Sequence, residues 1–243
     1  MEGILNAGFA QDIFKVAGSK AKGIMFGQLR ILADGRKFRY GKAGGTLVAG
    51  GMCAMAAATA NHVAQIQTSG AANAAGATVV TVYVGGTAVT ANMYDDGFLQ
   101  VYDGTAGTSG FQYRIKSHTT SSAGSETIQV TLASPILVAT VVGDTFSLIP
   151  NPWSSVTHTT TKASGPAGIA ARAASSGQYL WFQTGGPAIC KAEGTAAVGS
   201  EIGISNTTQE IELAAAYTDP TVGFVYGTAN VAGKWSPVFL TID

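Results

Sequence analysis

The stretch FQYRIKSHTTSSAGSETIQVTL, residues 111–132, decides the fold class of this chain. Large apolar residues occupy every second position in its first and last parts: Phe111, Tyr113, Ile115, Ile128, Val130 and Leu132. Successive side chains of a β-strand point to opposite faces, so this alternation predicts two strands that each bury one face. The Ser-, Thr- and Gly-rich run between them predicts a connecting loop.

Short segments of the same kind recur along most of the chain, separated by Gly and Asp-Gly turns. This spacing is typical of a β-sandwich or β-barrel. Further strands are predicted at residues 78–84, 98–102, 136–142, 145–149, 179–183, 187–191, 201–205, 222–226 and 237–242. Residues 52–67 are rich in Ala, and their pattern leaves open a helix or a buried segment of small residues.

Turns and changes in composition divide the chain into three parts. An Asp-Gly pair between two extended runs is a strong hairpin signal, and Asp34-Gly35 is such a pair. Pro150, Pro152 and the Thr-rich run that follows them predict a second boundary near residue 155. We therefore predict a mainly β chain in which an extended N-terminal arm with a hairpin (residues 1–45) precedes two antiparallel β-sandwich or barrel-like domains (46–155 and 156–243).

The formal net charge of zero conceals an uneven distribution of charged residues. Eight of the 14 Lys and Arg lie before residue 43, where three acidic residues oppose them, so this segment carries +5 and the remainder −5. Charged residues make up only 12% of the chain, about half the ~25% of typical soluble domains. We expect the basic segment to dock on an acidic surface and much of the remaining surface to be buried in an oligomer or a larger particle. Nucleic acid is disfavoured as the partner, because the cations are dispersed with few aromatic residues among them.

The chain offers few groups for catalysis. Its histidines lack the spacing of a metal site: His62, His118 and His158. No Gly-x-Ser-x-Gly motif is present, and a Gly-x-x-x-x-Gly run at residues 45–50 is followed by Gly51-Met52 in place of the Lys and Ser or Thr that bind phosphate and magnesium. We predict no enzyme activity and no cofactor.

Other chemistry is equally sparse. Asp95, Asp96 and Asp103 lie at or beside Gly-containing turns and are expected as turn residues, with a structural calcium site as the alternative. Cys53 and Cys190 are expected as buried free thiols. We predict no membrane partner, because the longest weakly polar run is mostly Gly and Ala, and no secretory signal is visible.

Three stretches resemble segments that recur in structural proteins of tailed bacteriophages. They are GQYLWFQTGGPA at residues 177–188, NMYDDGFL at residues 92–99 and NPW at residues 151–153. The similarity extends over residues 45–243 and departs from the family pattern at Leu180, where Gly is usual, and at Trp153, where Tyr is usual. It implies a virion structural protein, most like a capsid decoration (cement) protein with a β-tulip or β-barrel domain.

The resemblance also implies partners and a location. Such a protein associates with itself, often as a homotrimer, and binds the major capsid protein on the outer surface of a capsid assembled in the host cytoplasm. Shell, head-fibre and tail roles stay open, and the main alternative is a glycan-binding head-fibre or tail adhesin module.

Two groups of candidate site residues follow from these expectations. The cations of the hairpin are expected to clamp neighbouring capsid subunits: Arg30, Arg36, Lys37 and Arg39. Aromatic residues of the second domain are candidates for the oligomer interface, or for stacking on sugars in the glycan-binding alternative. These are Tyr179, Trp181 and Trp235.

Overall fold

The computed structural model describes residues 10–67, 72–104, 109–122, 124, 126–162, 164–207, 209–214 and 219–243. They form an almost entirely β structure with antiparallel sheets, which confirms the predicted fold class. The strands are β1 (Leu29–Ile31), β2 (Lys37–Lys42), β3 (Met52–Ala54), β4 (Gln65–Ile66), β5 (Val79–Val84), β6 (Phe98–Asp103), β7 (Gln112–His118), β8 (Glu126–Leu132), β9 (Thr145–Ile149), β10 (Pro166–Ala170), β11 (Tyr179–Lys191), β12 (Glu201–Ile204), β13 (Ile211–Leu213), β14 (Thr221–Val225) and β15 (Trp235–Thr241).

The chain folds as two compact units, one inserted in the other. Unit 1 comprises Met1–Ala56 and Ser155–Asp243, and unit 2 comprises Ala57–Ser154. Ala54 and Thr157, on either side of the insertion, pair as antiparallel neighbours through main-chain hydrogen bonds of 2.8 and 3.2 Å. The chain therefore leaves unit 1 and returns to it at adjacent points.

This division differs from the predicted one. Residues 1–45 were expected as a separate arm and 46–155 as one domain, but the structure groups Met1–Ala56 with Ser155–Asp243. The reason is strand pairing, because β2 forms an antiparallel ladder with β11. Turn signals locate the ends of strands, but they do not show which strands pair.

The Ala-rich segment at 52–67 contains two strands and no α-helix. β3 is fully buried and pairs with β10, a short 3₁₀ helix spans Ala60–His62, and β4 follows. The small side chains of this segment suit close packing between strands. A second short 3₁₀ helix, Ala10–Phe14, precedes β1.

Unit 2 is a six-stranded antiparallel sheet in the order β4-β9-β6-β7-β8-β5 that curls into a nearly closed barrel. The alternation that predicted β7 and β8 is confirmed, because their apolar residues point into the core. The core includes Val80, Val82, Val84, Leu99, Val101, Tyr113, Ile115, Ile128, Val130, Leu132, Phe146 and Leu148.

Two side-chain amides bind the main chain of β5, the strand at one end of this sheet. Gln67 directly follows β4 at the other end, and Asn73 lies in a segment that pairs with Thr140. The Asn73 amide accepts a hydrogen bond from the N–H of Thr81 (2.8 Å) and donates to its carbonyl (3.1 Å). The Gln67 amide accepts from the N–H of Tyr83 (2.9 Å). An edge strand presents main-chain donors and acceptors that lack a ladder, so these amides replace part of the ladder at the edge of β5.

Unit 1 contains a nine-stranded antiparallel sheet with the path β1-β2-β11-β15-β14-β12-β13, and β10 and β3 branch from β11. The first half of β11 pairs with β2 and β10, and its second half pairs with β15. The change of partner coincides with Gly185 and Gly186, where the ladder with β2 ends and Gly186 adopts φ +82°. The core behind the second half includes Met52, Ile169, Cys190, Ile202, Ile204, Ile211, Val222, Val225, Val238 and Leu240.

The described part of the predicted arm is packed on this sheet. β1 and β2 form the predicted hairpin, and Gly35 lies in its turn at φ +84°. The rings of Phe26, Tyr40 and Tyr179 stack with centroid separations of 6.0 to 6.5 Å. These contacts attach the segment before β1 to β2 and β11.

Candidate assembly surface

Apolar side chains cover the exposed side of the sheet formed by β11, β15 and β14. Exposure alternates along β15, whose even-numbered residues from Ser236 to Leu240 are buried, while the odd-numbered ones face away from the core. We call the surface so formed the outer face: Pro187, Ile189, Phe224, Tyr226, Trp235, Pro237 and Phe239. An antiparallel sheet with one solvated side usually alternates apolar and polar residues. In this sheet both sides are apolar.

Direct aromatic contacts organise the outer face. Phe224 on β14 and Phe239 on β15 are cross-strand partners whose rings stack at 5.3 Å, and Tyr226 meets Phe239 edge-on at 6.3 Å. The two strands approach closely at Gly223, where a Cβ would collide with the main-chain oxygen of Phe239. On this side of the sheet the rings of Phe224, Tyr226 and Phe239 pack against one another.

A groove of ≈ 540 Å³ opens at one side of the outer face. Its lining includes Phe14, Arg36, Gly50, Ile189 and Trp235. The ring of Trp235 lies against Gly50, where a Cβ would approach the ring to 2.5 Å. Trp235 is 48% exposed and Ile189 is 55% exposed, so both present apolar surface to solvent. The groove extends the outer face towards the β1–β2 hairpin.

Charged side chains surround the apolar residues of the outer face. Lys191 is the cross-strand neighbour of Trp235 at the end of β11 and forms an ion pair with Glu210 at 2.5 Å. Arg36 lies beside Gly186 at the β11 edge, where it forms an ion pair with Asp34 at 2.8 Å. Glu201 is exposed on β12, at the opposite edge, directly across from Phe224. An apolar centre with a polar rim is the usual anatomy of a protein interface.

The three aromatic interface candidates occupy different environments. Trp235 lies on the outer face, as described above. Trp181 is only 5% exposed. Its ring packs against the Tyr40 ring in a T-shaped arrangement with the centroids 5.3 Å apart, and the Arg30 guanidinium lies over its face at 4.6 Å. Tyr179 is half-buried in the stack with Phe26 and Tyr40. The structure therefore leaves Trp235 as the member of this group that is free to contact a partner through its ring.

The four hairpin cations are engaged within unit 1. Arg30 covers Trp181, as described above, and Arg36 pairs with Asp34. Arg39 donates to both carboxylate oxygens of Asp243, at 2.9 and 2.8 Å, and Lys37 donates to the main-chain oxygen of the same residue at 2.9 Å. Much of the positive charge that the sequence places on the hairpin is thus balanced by nearby acidic groups.

The pairing of Asp243 with Arg39 and Lys37 is reflected in the pKa of its carboxyl group. Partial burial acts to raise the pKa of Asp243. Hydrogen bonds from Arg39 and Thr184, together with the charges of Arg39 and Lys37, outweigh burial, so the pKa lies below its ordinary value. The carboxylate is ionised at neutral pH and holds the hairpin cations in place.

Cys53 and Cys190 are free and buried, as predicted. His158 lies with Nδ1 3.7 Å from the Cys53 sulfur, but Nδ1 donates to the main-chain oxygen of Met52 (2.8 Å) while Nε2 accepts from the N–H of Val48 (3.0 Å). The nitrogen near the thiol thus carries the proton and is not a base for it. Burial lowers the pKa of His158, raises the pKa of Cys190 to about 12 and also raises the pKa of Cys53. The geometry favours packing over nucleophilic chemistry.

His62 and His118 flank Tyr94 in unit 2. His62 Nε2 donates to the main-chain oxygen of Thr87 (2.8 Å), so the Tyr94 hydroxyl donates to His62 Nδ1 at 2.5 Å. The N–H of Tyr94 donates to His118 Nε2 at 3.1 Å. Burial raises the pKa of Tyr94 to about 12. These bonds fix the loop that precedes β6.

Within the described ranges, no group of three or more His, Cys, Asp or Glu residues is placed to hold a metal ion. Among the helices of the described part of the chain, none is long and apolar enough to cross a membrane.

The sequence predicts strands that contain Ile189, Phe224, Tyr226 and Phe239 but no role for these residues, so most of the outer face is not predicted. The signal was present in WSPVFLT of β15, where large apolar residues occupy both sets of alternate positions. Such a pattern indicates a strand that is covered on both sides.

Comparison with known proteins finds no family model, no curated protein and no solved structure that matches this chain.

Proposed function

We propose that this chain is a structural subunit of a larger assembly, and that the assembly is the capsid of a tailed phage, which the chain decorates and stabilises. The observation that carries the first part is the outer face. Contiguous apolar patches on a soluble monomer rarely exceed a few hundred Å², and larger ones mark interaction sites. A sheet face with seven apolar residues fits a chain whose working state is assembled. The proposal includes no catalytic activity.

The resemblance of three stretches to phage structural proteins supports the second part. Two of these stretches meet in unit 2, because the Asn151 amide of NPW donates to the main-chain oxygen of Asp96 in NMYDDGFL at 3.1 Å. Asp96 itself adopts φ +57° in the turn before β6. The third stretch forms most of β11, the strand that carries one edge of the outer face. The resembling residues are thus structural elements of the two units.

The proposal keeps the N-terminal segment as the contact with the major capsid protein. Docking of Lys37 and Arg39 on shell carboxylates would exchange Asp243 for new acidic partners. Because one set of ion pairs replaces another, such an exchange would determine which partner binds and in what orientation, and it would add little to the binding free energy. The apolar surfaces supply the main driving force for assembly in this view.

Quantitative mass spectrometry of virions from the phage that encodes this chain tests the proposal. Decoration predicts a copy number comparable with that of the major capsid protein. A copy number close to that of the portal or tail proteins would overturn decoration but keep a virion role. Absence of the chain from purified virions would overturn both.

One observation favours the alternative, a glycan-binding head-fibre or tail module. Trp235 presents its ring at a groove whose rim also carries Arg36, and exposed aromatic rings stack on sugars. Binding to a glycan array that is lost in Trp235→Ala and kept in Tyr102→Ala, which removes an exposed ring from unit 2, would support it.

A further inference from the structure

We propose that the outer face is a self-association surface, on which a second copy of this chain packs its own outer face around a two-fold axis. The inference rests on the assembly part of the proposed function and names the partner of that surface. It replaces the three-fold association that the phage resemblance implies.

The area of the outer face suits a protein partner of similar size. Ile189, Phe224, Tyr226 and Trp235 are between 37% and 55% exposed. Large side chains of this kind expose up to ~250 Å² each, so these four alone present on the order of 400 Å² of apolar surface. The prolines, Phe239 and the rim bring the face towards the ~800 Å² that each partner contributes to a standard interface. A small ligand would cover only the groove.

Charge at the rim selects a second copy over an unrelated partner. One row of residues crosses the sheet from Arg36, beside Gly186, through the cross-strand neighbours Pro187, Phe239 and Phe224, to Glu201. The row has the Arg36 guanidinium, paired with Asp34, at one end, apolar side chains in the middle and the Glu201 carboxylate at the other end. A second copy would bring its own Glu201 carboxylate to Arg36 as a further acidic partner. The Glu201 carboxylate is exposed and makes no ion pair with the described residues.

A two-fold axis parallel to the strands makes such a row complementary to itself. Rotation about this axis reverses the strand order β11-β15-β14-β12, so that β12 of one copy lies over β11 of the other. Glu201 of each copy then faces Arg36 of its partner, while the aromatic centres meet. Isologous interfaces require this kind of self-complementarity, and two sheets that pack face to face lie about 10 Å apart.

Sedimentation equilibrium of the full chain over a range of concentrations tests the pairing. We expect a monomer–dimer equilibrium for the wild type. Ile189→Lys places a charge in the apolar centre and should raise the dimer dissociation constant by about 100-fold, the scale of an interface hot spot. Val79→Lys is the matched control, because Val79 is 49% exposed on β5 in unit 2 and should leave the constant unchanged.

A charge swap tests the geometry independently of folding defects. Arg36→Glu and Glu201→Arg should each weaken the dimer by about tenfold, and the double variant should restore it to within about threefold of the wild type. Additive weakening in the double variant would overturn the two-fold arrangement. A monomer at all concentrations or a trimer would overturn the proposal.

These readouts are separate from the virion measurement. A wild-type dimer together with absence from virions would refute the phage assignment and retain the pairing. A high copy number in virions together with a monomer in solution would refute the pairing and retain the phage assignment.

Discussion

Replacement of Asn73 by Ala should destabilise the edge of β5 in unit 2, where side-chain amides replace part of the strand ladder. The Asn73 side chain is buried, and its amide makes three hydrogen bonds, two with the main chain of Thr81 and one with the hydroxyl of Thr140. Ala leaves the N–H and carbonyl of Thr81 without these partners, and among the described strands β5 pairs with β8 alone. The substitution therefore acts at an edge of β5 where side-chain amides replace much of the main-chain ladder.

The magnitude follows from the three bonds. A typical intramolecular hydrogen bond contributes about 1 kcal/mol net, and a buried polar group left without a partner costs about 1 to 3 kcal/mol. We expect Asn73→Ala to destabilise unit 2 by about 2 to 4 kcal/mol. Since 1.4 kcal/mol corresponds to a factor of ten, the opening equilibrium of β5 should increase by about two orders of magnitude.

Native-state hydrogen exchange followed by mass spectrometry measures this effect in each unit separately. Peptides from β5 should exchange faster in Asn73→Ala, while peptides from β11 in unit 1 should keep the wild-type rate. Gln129→Ala, an exposed residue on β8, is the control and should change the free energy of unfolding by less than about 0.5 kcal/mol. If the β5 amides of Asn73→Ala kept their wild-type protection from exchange, the hydrogen bonds of the Asn73 side chain would not stabilise this strand.

Three further predictions concern the insertion, the hairpin and the thiols. Replacing residues 57–154 by a short Gly-containing turn should leave unit 1 folded, because the flanking chains already pair as antiparallel neighbours; loss of the protected β11 amides would contradict this. Asp243→Asn should remove a stabilising contribution that is complete above the unfolded-state pKa of about 4 and is lost as pH falls through the lower folded-state pKa. Denaturation curves at pH 7 and pH 3 check the sign, and a wild-type pH profile in Asp243→Asn would show that the pair with Arg39 does not stabilise the fold. A thiol-specific reagent should label Cys53 and Cys190 only after denaturation, since burial suppresses both thiolates, and rapid labelling of the native protein would contradict the buried assignment.

The candidate surface could be predicted only in part. Trp235 was a candidate from its aromatic character, and the structure places it on the outer face. Trp181 is a candidate on the same ground, but Arg30 and Tyr40 cover it. Exposure depends on which strands lie beside β11, and those strands come from distant parts of the chain. A residue type alone does not decide it.

The charge split shows the same limit. The sequence places a net +5 before residue 43. The fold brings Asp243 to Arg39 and Lys37 across 204 and 206 positions of sequence and balances much of that charge. Local composition therefore suggested a free basic arm, whereas long-range pairing made its described part a component of the sheet.

By itself, the sequence determined the β class, the strand alternation and the β1–β2 hairpin. Each of these depends on residues that are close along the chain, through side-chain periodicity and turn conformation. Only the tertiary structure decided that one unit is inserted in the other, that amides close the barrel and that an apolar sheet face is left uncovered. These features depend on pairing between strands far apart in sequence. Local periodicity shows that a segment is a strand, but it does not show which strand pairs with it.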